Sequence, residues 1–354
     1  MKSPKKIIGS LGRKYGGRPF QIFRKFVYDT LELPSQAQSI ISIAKKEYKA
    51  NTTDNEFYNK FYKDGHSEQV KSGVVFICDG SYMHGGVTDR LKGILTTYKE
   101  AKRKNLPFYI HWTSPFPLEE YLIPAKIDWR INDSDVSNLK GDCFPIIIEE
   151  RIQYQAHLNN TLRLKMALYK GLPQTHVYSN ADNARGTYKS LFYELFKPSP
   201  YLEREVKKHL SILGDEYYAF SFRFIGLLGQ FTDCPGIVLP LDDAEILIDK
   251  VITEFKQLAK DIPYDKRILI TSDSIVFLNR IAGTDDRIYI VPGDVKHLDF
   301  DLTDNDIHLK IFVDQHLLMN AKKITLIRTN RMYKSDFPRF AAEIGNVEFI
   351  DHIF

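Results

Sequence analysis

The chain has 354 residues, more than a single hydrophobic core usually supports, so its length predicts two domains. Hydrophobic residues make up 43% and charged residues 27%, and an aromatic content of 13% excludes extended disorder. The net charge is only +4, and the basic residues do not recur in a recognisable binding module, so we expect no nucleic-acid partner.

The N-terminus and the cysteines bear on where the protein resides. The first 30 residues carry eight Lys or Arg and one acid, and they lack the continuous apolar core of a signal peptide. Cys78, Cys143 and Cys234 have no zinc-site spacing, and an odd number is untypical of a disulfide framework. We therefore expect a cytoplasmic protein. The basic segment is either a solvated tail or a peripheral contact with the inner face of the plasma membrane.

The first α/β series follows a helical segment. Residues 36–64 mix helix formers with aromatic residues and predict one or two helices, and the apolar run at 74–80 predicts a strand. A glycine loop, an amphipathic helix and a second strand at 106–112 follow, which is the pattern of a βαβ unit with parallel strands. Further strands are expected in FPIIIEER and THVYSN, and helices at 184–196 and 202–213.

The second series starts at residues 217–224 and alternates helices with strands. Its predicted helices are 242–261, SIVFLNRIAG, IHLKIFVDQHLLMNA and 337–344, and its further strands are RILITSD, RIYIVP, KITLIRT and VEFI. Two such series predict an α/β fold of two Rossmann-like domains that face each other across a cleft. Ligands are expected at the carboxyl ends of the strands.

The loop HGGVTDRLKGIL, residues 84–95, is the first candidate site. Gly85 and Gly86 permit backbone conformations that other residues resist, and the helix that follows presents unpaired N–H groups to an anion. Arg90 adds a guanidinium that can bind a phosphate through two hydrogen bonds. The alternative is a tight turn in which Arg90 pairs with a surface acid, and the motif alone leaves both interpretations open.

An arginine in an apolar strand is the second candidate. Arg223 in FSFRFIGLLGQFTD is costly to bury unless it meets an anion, so it lies in a buried ion pair or contacts a ligand. Its place at the carboxyl end of the strand favours the ligand. Asp233, ten residues later, is either a general base for an acceptor hydroxyl or the cap of a turn.

Three further segments carry polar side chains next to predicted helices. Ser272 and Asp273 close a strand, where they can bind a base or ribose or cap the next helix. Asp314 interrupts a largely apolar helix. Ser335 and Asp336 precede a helix whose N-terminus can receive a phosphate.

In succession, these motifs resemble those of the fucosyltransferases of the plant-xyloglucan and nodulation type. HGGVTDRLKGIL resembles their GGxxDRLxG loop, SFRF their His-x-Arg-Arg stretch, and TSDS their Ser/Thr-Asp-Asp/Ser strand end. VDQHLL and SDFPRFAA resemble an Asp-containing helix and the Ser-x-Phe-x-x-x-Ala-Ala segment after it, and the order agrees over residues 74–342. Ser221 and Phe224 depart from the pattern, since the family often has His and a second Arg there.

The resemblance implies a GT-B-like glycosyltransferase that transfers fucose from GDP-fucose to a saccharide hydroxyl with inversion, without a metal or other cofactor. Arg223 would stabilise the charge that develops on the β-phosphate as the bond to GDP breaks. The donor site would comprise His84, Gly85, Gly86, Arg90, Ser272, Asp273, Asp314, Ser335, Asp336 and Phe337. The domains implied are a basic, helical segment at 1–70, an acceptor-side domain at 71–213 and a nucleotide-sugar-binding domain at 214–354.

Several alternatives stay open. The acceptor is expected to be a saccharide of surface-polysaccharide assembly, and a lipid-linked acceptor would give the basic N-terminus a purpose at the membrane. A transferase with another nucleotide sugar, or a non-catalytic nucleotide- or glycan-binding protein on the same scaffold, fits the motifs too. The Asp-x-Asp strings at 133–135 and 299–301 match a metal signature, but chance explains such short patterns in acidic loops better.

Overall fold

A computed structural model describes residues 56–67, 69–82, 84–148, 171–229, 238–293 and 305–354, with the side chains of 305–307 excepted. Most of the basic N-terminal segment, the candidate base Asp233 and the string 299–301 lie outside the described residues. The chain forms two compact units. The first comprises Met1–His84, Lys92–His111 and Arg130–Asn183, and the second comprises Gly85–Leu91, Trp112–Trp129 and Ala184–Phe354.

The helices and strands follow the predicted alternation. In chain order they begin with β1 (Gly73–Cys78), α1 (Val87–Arg103), β2 (Phe108–Trp112), β3 (Leu122–Pro124), β4 (Cys143–Ile148), β5 (Gln174–Ser179), α2 (Tyr188–Leu195), β6 (Phe196–Pro198) and α3 (Pro200–Leu213). The second series comprises β7 (Tyr217–Phe222), α4 (Leu241–Ala259), β8 (Arg267–Ser272), α5 (Ile275–Ala282), β9 (Ile288–Tyr289), α6 (Asn305–Asn320), β10 (Lys323–Arg328), α7 (Phe337–Gly345) and β11 (Glu348–Ile353).

The first sheet has four strands in the order β2-β1-β5-β4, and β5 is parallel to both of its neighbours. All residues of β1 except the first are buried, as expected for a parallel strand covered on both faces. α1 approaches the end of β5 closely, because a Cβ at Gly93 would lie 1.9 Å from the carbonyl oxygen of Ser179. Only glycine fits at that position.

The second sheet has five parallel strands in the order β11-β10-β7-β8-β9. On one side of β7 the sheet continues with β8 and then β9, and on the other side it continues with β10 and then β11. The order therefore reverses between β7 and β10, and ligands of open α/β sheets bind outside the carboxyl ends of the strands at such a switch point. α4 covers one face of this sheet, with Phe255 edge-on to Phe220 of β7 at 5.1 Å.

Residues 184–213, which the sequence assigns to the first domain, lie in the second unit. The reason is packing: Tyr188 of α2 meets Phe340 of α7 edge-on at 4.8 Å, and α3 packs along α6. β3 and β6 pair antiparallel in the same unit. Among the described residues, none of the helices has the length and apolar character that a bilayer crossing requires.

Candidate functional site

Arg223 lies at the switch point of the second sheet. The sequence predicted that Arg223 lies inside the apolar strand. In the structure β7 ends at Phe222, so Arg223 is the first residue beyond the strand. Its side chain is 21% exposed, and Nε lies 3.5 Å from Oδ2 of Asp273. The carbonyl oxygen of Arg223 accepts a hydrogen bond from the backbone N–H of Tyr333, in the segment after β10, at 3.2 Å. Arg223 is thus held between the ends of β8 and β10.

Asp273 follows β8, and its side chain is almost completely buried. Oδ1 accepts the backbone N–H of Phe224 at 2.8 Å, and Oδ2 accepts that of Ile225 at 2.6 Å. Burial raises the pKa of Asp273, against the opposing effects of the Arg223 charge and the two N–H groups. Both carboxylate oxygens therefore contact the protein's own backbone, and the base or ribose contact expected from the sequence stays a prediction.

The turn after Arg223 has an unusual conformation. Ile225 has a φ of 53°, in the left-handed region that a β-branched residue rarely adopts. It begins a short 3-10 helix, Ile225–Leu228, whose C-terminal residue is followed by Gly229 with a φ of 75°. The sequence carries no signal for this turn, since an isoleucine predicts extended backbone.

Ser272 takes the local role that the sequence left open. Its Oγ accepts the backbone N–H of Ser274 at 3.2 Å. Ser274 is the N-cap of α5, where its own Oγ accepts the N–H of Phe277 at 3.2 Å. The TSDS segment therefore completes the start of a helix, as Ser and Asp commonly do.

Asp314 lies in a buried polar cluster on α6. Its Oδ2 is 2.9 Å from Nζ of Lys310, one helical turn earlier, and the same ammonium donates to the carbonyl oxygen of Val291 beyond the end of β9. Oδ1 of Asp314 is buried and has no hydrogen-bond partner among the residues that the structure describes. Burial raises the pKa of Asp314, and the charge of Lys310 opposes that rise. A buried carboxylate oxygen without a hydrogen bond is uncommon in folded proteins.

Sequence reasoning missed Lys310, although its spacing of four residues from Asp314 on a helix was a signal for the pair. The same cluster includes a second pair on neighbouring elements, in which Nδ1 of His209 on α3 lies 2.6 Å from the hydroxyl of Tyr289 on β9. Burial lowers the pKa of His209 and raises that of Tyr289, and the charge of Asp314 adds to the second shift. The cluster thus joins three elements of the second unit.

The start of α7 carries the other predicted donor-binding residues. The Oγ of Ser335 accepts the N–H of Phe337 at 3.3 Å, whereas Asp336, at the N-cap, makes no capping hydrogen bond. The Asp336 carboxylate instead lies 3.6 Å from Arg185 and 4.0 Å from Arg339. Arg185 and Arg339 were not singled out from the sequence. The helix start therefore has mixed charge.

The glycine loop holds its arginine within the protein. Gly85 has a φ of 83°, and the carbonyl oxygen of Gly86 accepts the N–H of Arg90 at 3.1 Å. The Arg90 side chain donates from Nε to the Gly85 carbonyl at 3.0 Å and from Nη1 to the Ser114 carbonyl at 2.8 Å. The guanidinium carbon also lies 5.1 Å from the centre of the Trp112 ring. Arg90 is 4% exposed, so it stabilises the loop from inside.

His84 belongs to the first unit, is buried and lies near three aromatic rings. Its ring stacks on Tyr178 with a centroid separation of 6.1 Å, and the ring of Phe76 lies at 5.6 Å. The side chain therefore packs in the core at the carboxyl end of β1. Its predicted contact with a donor stays a prediction, as do those of the glycine loop.

The sequence predicts a transferase that needs no metal ion. Within the described ranges, no group of three or more His, Cys, Asp or Glu is arranged to hold a metal ion. Asp133 of the first Asp-x-Asp string lies in a 3-10 turn, with Oδ1 2.9 Å from Nε2 of His111. The second string and the candidate base Asp233 lie outside these ranges.

No protein-family model matches the sequence, and the comparison with curated proteins finds no match. Among solved structures, the chain resembles NodZ α-1,6-fucosyltransferase co-crystallised with GDP at 15% identity and a TM-score of 0.51, over 77% of this chain and 92% of that one. Fucosyltransferase NodZ from Bradyrhizobium, in its selenomethionine form, is similar at 16% identity with the same coverage and TM-score. At this identity the likeness concerns the fold. It confirms the predicted α/β architecture of two Rossmann-like units.

Proposed function

We propose that this protein is a glycosyltransferase that transfers fucose from GDP-fucose to a saccharide hydroxyl. The observation that carries the proposal is the position of Arg223, a partly exposed guanidinium at the topological switch point of a parallel sheet. A fold shared with a fucosyltransferase that was crystallised with GDP supports the choice of donor. Fold alone does not fix an activity, so the proposal depends on the chemistry of these side chains.

Arg223 has the properties that a leaving diphosphate requires. When the acceptor oxygen attacks the anomeric carbon, the bond from that carbon to the β-phosphate oxygen breaks, and GDP keeps the electron pair. A guanidinium hydrogen-bonds the growing negative charge, and its effect is largest where water is excluded. The single displacement inverts the anomeric configuration. The hydroxyl proton passes to a general base, for which Asp233 is the candidate, and no metal is required.

Asp314 supplies a reason to prefer guanine over other bases. Guanine presents two adjacent donors, N1–H and the exocyclic amino group, whereas adenine has one donor beside an acceptor and uracil has one donor between two acceptors. The orphaned Oδ1 of Asp314 is an acceptor in a buried setting, and Lys310 fixes the carboxylate by occupying Oδ2. A base without a donor at this position leaves the acceptor unpaired, which lowers its affinity.

The biological setting of the reaction belongs to the same proposal. The acceptor is a saccharide of surface-polysaccharide assembly, and an acceptor on a lipid carrier would bring the basic N-terminal segment to the inner face of the plasma membrane. Ser335, Asp336 and Phe337 at the start of α7 would lie near the nucleotide. The positive end of that helix dipole favours a phosphate, with Arg185 offsetting the Asp336 charge.

Calorimetric titration of GDP into the wild-type protein and into Arg223→Ala tests the proposal. We expect micromolar binding that weakens about tenfold or more in the variant, which corresponds to about 1.4 kcal/mol. Arg280→Ala is the matched control, since Arg280 is an exposed arginine on α5 whose partners are the surface acids Glu245 and Asp249. Its GDP affinity should equal that of the wild type. Equal losses in both variants would contradict a specific role for Arg223.

The two rival functions give different outcomes. A transferase with another nucleotide sugar would bind UDP or dTDP in a thermal-shift panel and ignore GDP, since a ligand at 100 times its dissociation constant stabilises by about 2.7 kcal/mol. A binding protein on the same scaffold would bind GDP but neither transfer nor slowly hydrolyse GDP-fucose. A protein that binds none of the nucleotides would end the transferase proposal.

A further inference from the structure

We propose that Asp273 is a positioning residue for Arg223, because its buried carboxylate clamps the strained Phe224–Ile225 turn and thereby presents the guanidinium at the carboxyl end of β7. The inference rests on the proposed function, in that it explains how the diphosphate-binding arginine is oriented. It replaces the role of direct nucleotide contact that the sequence motif suggested for Asp273.

Both carboxylate oxygens of Asp273 are bound to the backbone of the turn. Oδ1 accepts from the N–H of Phe224 at 2.8 Å and Oδ2 from that of Ile225 at 2.6 Å. A carboxylate that is almost completely buried needs such partners, and two consecutive N–H groups provide them. A single side chain at the end of β8 therefore fixes the backbone just beyond the end of β7.

The clamped turn would not hold its conformation without the carboxylate. Ile225 has a φ of 53°, and a β-branched side chain in the left-handed region persists only where surrounding contacts impose it. The clamp ends on the N–H of this same residue. The two hydrogen bonds to Asp273 therefore offset the backbone strain at Ile225.

Arg223, the residue next to the turn, is also held in place. Its carbonyl oxygen is held on the other side by the N–H of Tyr333 at 3.2 Å, so the backbone of Arg223 is fixed from two neighbouring strand ends. Oδ2 of Asp273 also lies 3.5 Å from Nε of Arg223, the nitrogen that joins the guanidinium to its stem. A contact at Nε orients the plane of the group.

A direct contact between Asp273 and the donor is the weaker explanation. A carboxylate beside a diphosphate would repel it, and Asp273 has both oxygens hydrogen-bonded to backbone N–H groups in a buried position. Charge and burial thus favour an action through Arg223. The clamp then contributes to donor affinity only as long as the arginine is present.

A double-mutant cycle on GDP affinity separates the explanations. Asp273→Asn keeps the volume but offers an amide nitrogen where an acceptor is required, so we expect a loss of about tenfold, similar to that of Arg223→Ala. In the Arg223→Ala background the same substitution should cause no further loss. Multiplicative losses would assign Asp273 a contact of its own with the nucleotide and overturn the proposal. An unchanged affinity in the single variant would overturn it too.

Asp285→Asn is the matched control for the cycle. It removes the carboxylate partner of Arg287, an Asp–Arg pair beside the amino end of β8, and should leave GDP affinity unchanged. If Asp273→Asn does not fold, the cycle is repeated with Ile225→Gly added to every variant, because glycine adopts the left-handed turn without the clamp. In that series the effect of Asp273→Asn on GDP affinity should fall below about threefold. A full tenfold loss there would contradict the clamp.

A second measurement does not depend on nucleotide binding. In crystals of the unliganded Asp273→Asn protein, we expect Ile225 to leave the left-handed region and the Arg223 side chain to be displaced. An unmoved turn would overturn the positioning role whatever the protein binds. A moved turn in a protein that ignores every nucleotide would uphold the clamp and reject the proposed transferase.

Discussion

Two arginine-bearing turns of the second unit show how the same residue types serve different ends. Each combines an arginine with a left-handed residue, Gly85 in the glycine loop and Ile225 after β7. Arg90 is buried and donates to two backbone carbonyls, whereas Arg223 is partly exposed beside a carboxylate. An arginine whose N–H groups donate to buried backbone carbonyls stabilises the fold and has fewer donors left for a ligand. An arginine at a strand end beside one carboxylate retains the exposure that a phosphate contact needs.

The largest expected effect comes from removing the buried arginine. Arg90→Ala leaves the Gly85 and Ser114 carbonyls without their charged donor, so we expect a loss of about 3 kcal/mol in the free energy of unfolding. Urea denaturation followed by circular dichroism measures it. Arg90→Lys should recover little, because an ammonium cannot replace two donors of a planar fork. A stability loss below about 1 kcal/mol, together with lost GDP affinity, would show that Arg90 contacts the donor instead of stabilising the loop.

The contrast between the two arginines also marks what the sequence could predict. Periodicity and apolar runs predicted nearly every strand and helix, because buried strands such as β1 and β8 are continuous apolar segments. The motif HGGVTDRLKGIL predicted a glycine turn before a helix, and Gly85 provides it. It could not predict the acceptors of Arg90, since Ser114 lies 24 residues away in sequence. Contacts of that range are set by packing and have no local signal.

Gly85→Ala should cause the next largest loss of stability, at the left-handed residue of the glycine loop. A φ of 83° is costly for any residue with a Cβ, and the new methyl group would lie 2.7 Å from Oδ2 of Asp89. The Asp89 side chain can move, so backbone strain dominates and we expect a loss of about 1.5 kcal/mol in unfolding free energy. Thermal unfolding monitors it. Gly283→Ala is the control, because no atom lies within 4 Å of the added Cβ and the φ is ordinary. An equal loss in both variants would remove the special status of the loop.

Asp314 extends the comparison to a carboxylate with one orphaned oxygen. Because burial raises its pKa, protonation begins at a higher pH than the ordinary 3.8 of an aspartate. In the proposed function the ionised form accepts a guanine donor, so GDP affinity should be full above the raised pKa and fall as the pH is lowered through it. Below that pKa the loss approaches tenfold per pH unit, or about 1.4 kcal/mol.

Asp314→Asn is the control for this pH dependence. The amide does not titrate, so the variant should bind GDP weakly with a flatter pH profile from calorimetry at several pH values. The phosphates of GDP titrate equally in both proteins, and the difference between the two profiles reports on the side chain alone. Parallel profiles would show that Asp314 does not contact the base.

The candidate site was predictable to a different extent from the fold. Arg223 was identified from one physical argument, the cost of burying a cation in an apolar strand, and the structure puts it one residue past that strand. The partner of Asp273 was not identifiable, because Phe224 and Ile225 contribute backbone N–H groups that every residue has. Hydrogen bonds to the main chain cannot be read from residue types. For Asp273 they determine whether the carboxylate is available to a ligand or holds the turn in place.

The smallest effect separates glycine from alanine at the strained position. At most sites alanine is the more stabilising of the two by about 1 kcal/mol, because glycine loses more backbone entropy on folding. At a φ of 53° the order should reverse, so Ile225→Gly should be more stable than Ile225→Ala by about 1 kcal/mol. Both variants lose the same isoleucine contacts, and urea denaturation compares them directly. The same pair at Ile246, an exposed position of the α4 helix, should keep the ordinary order. If alanine is favoured at both positions, Ile225 is not strained, and the contrast between the two turns rests on their arginines alone.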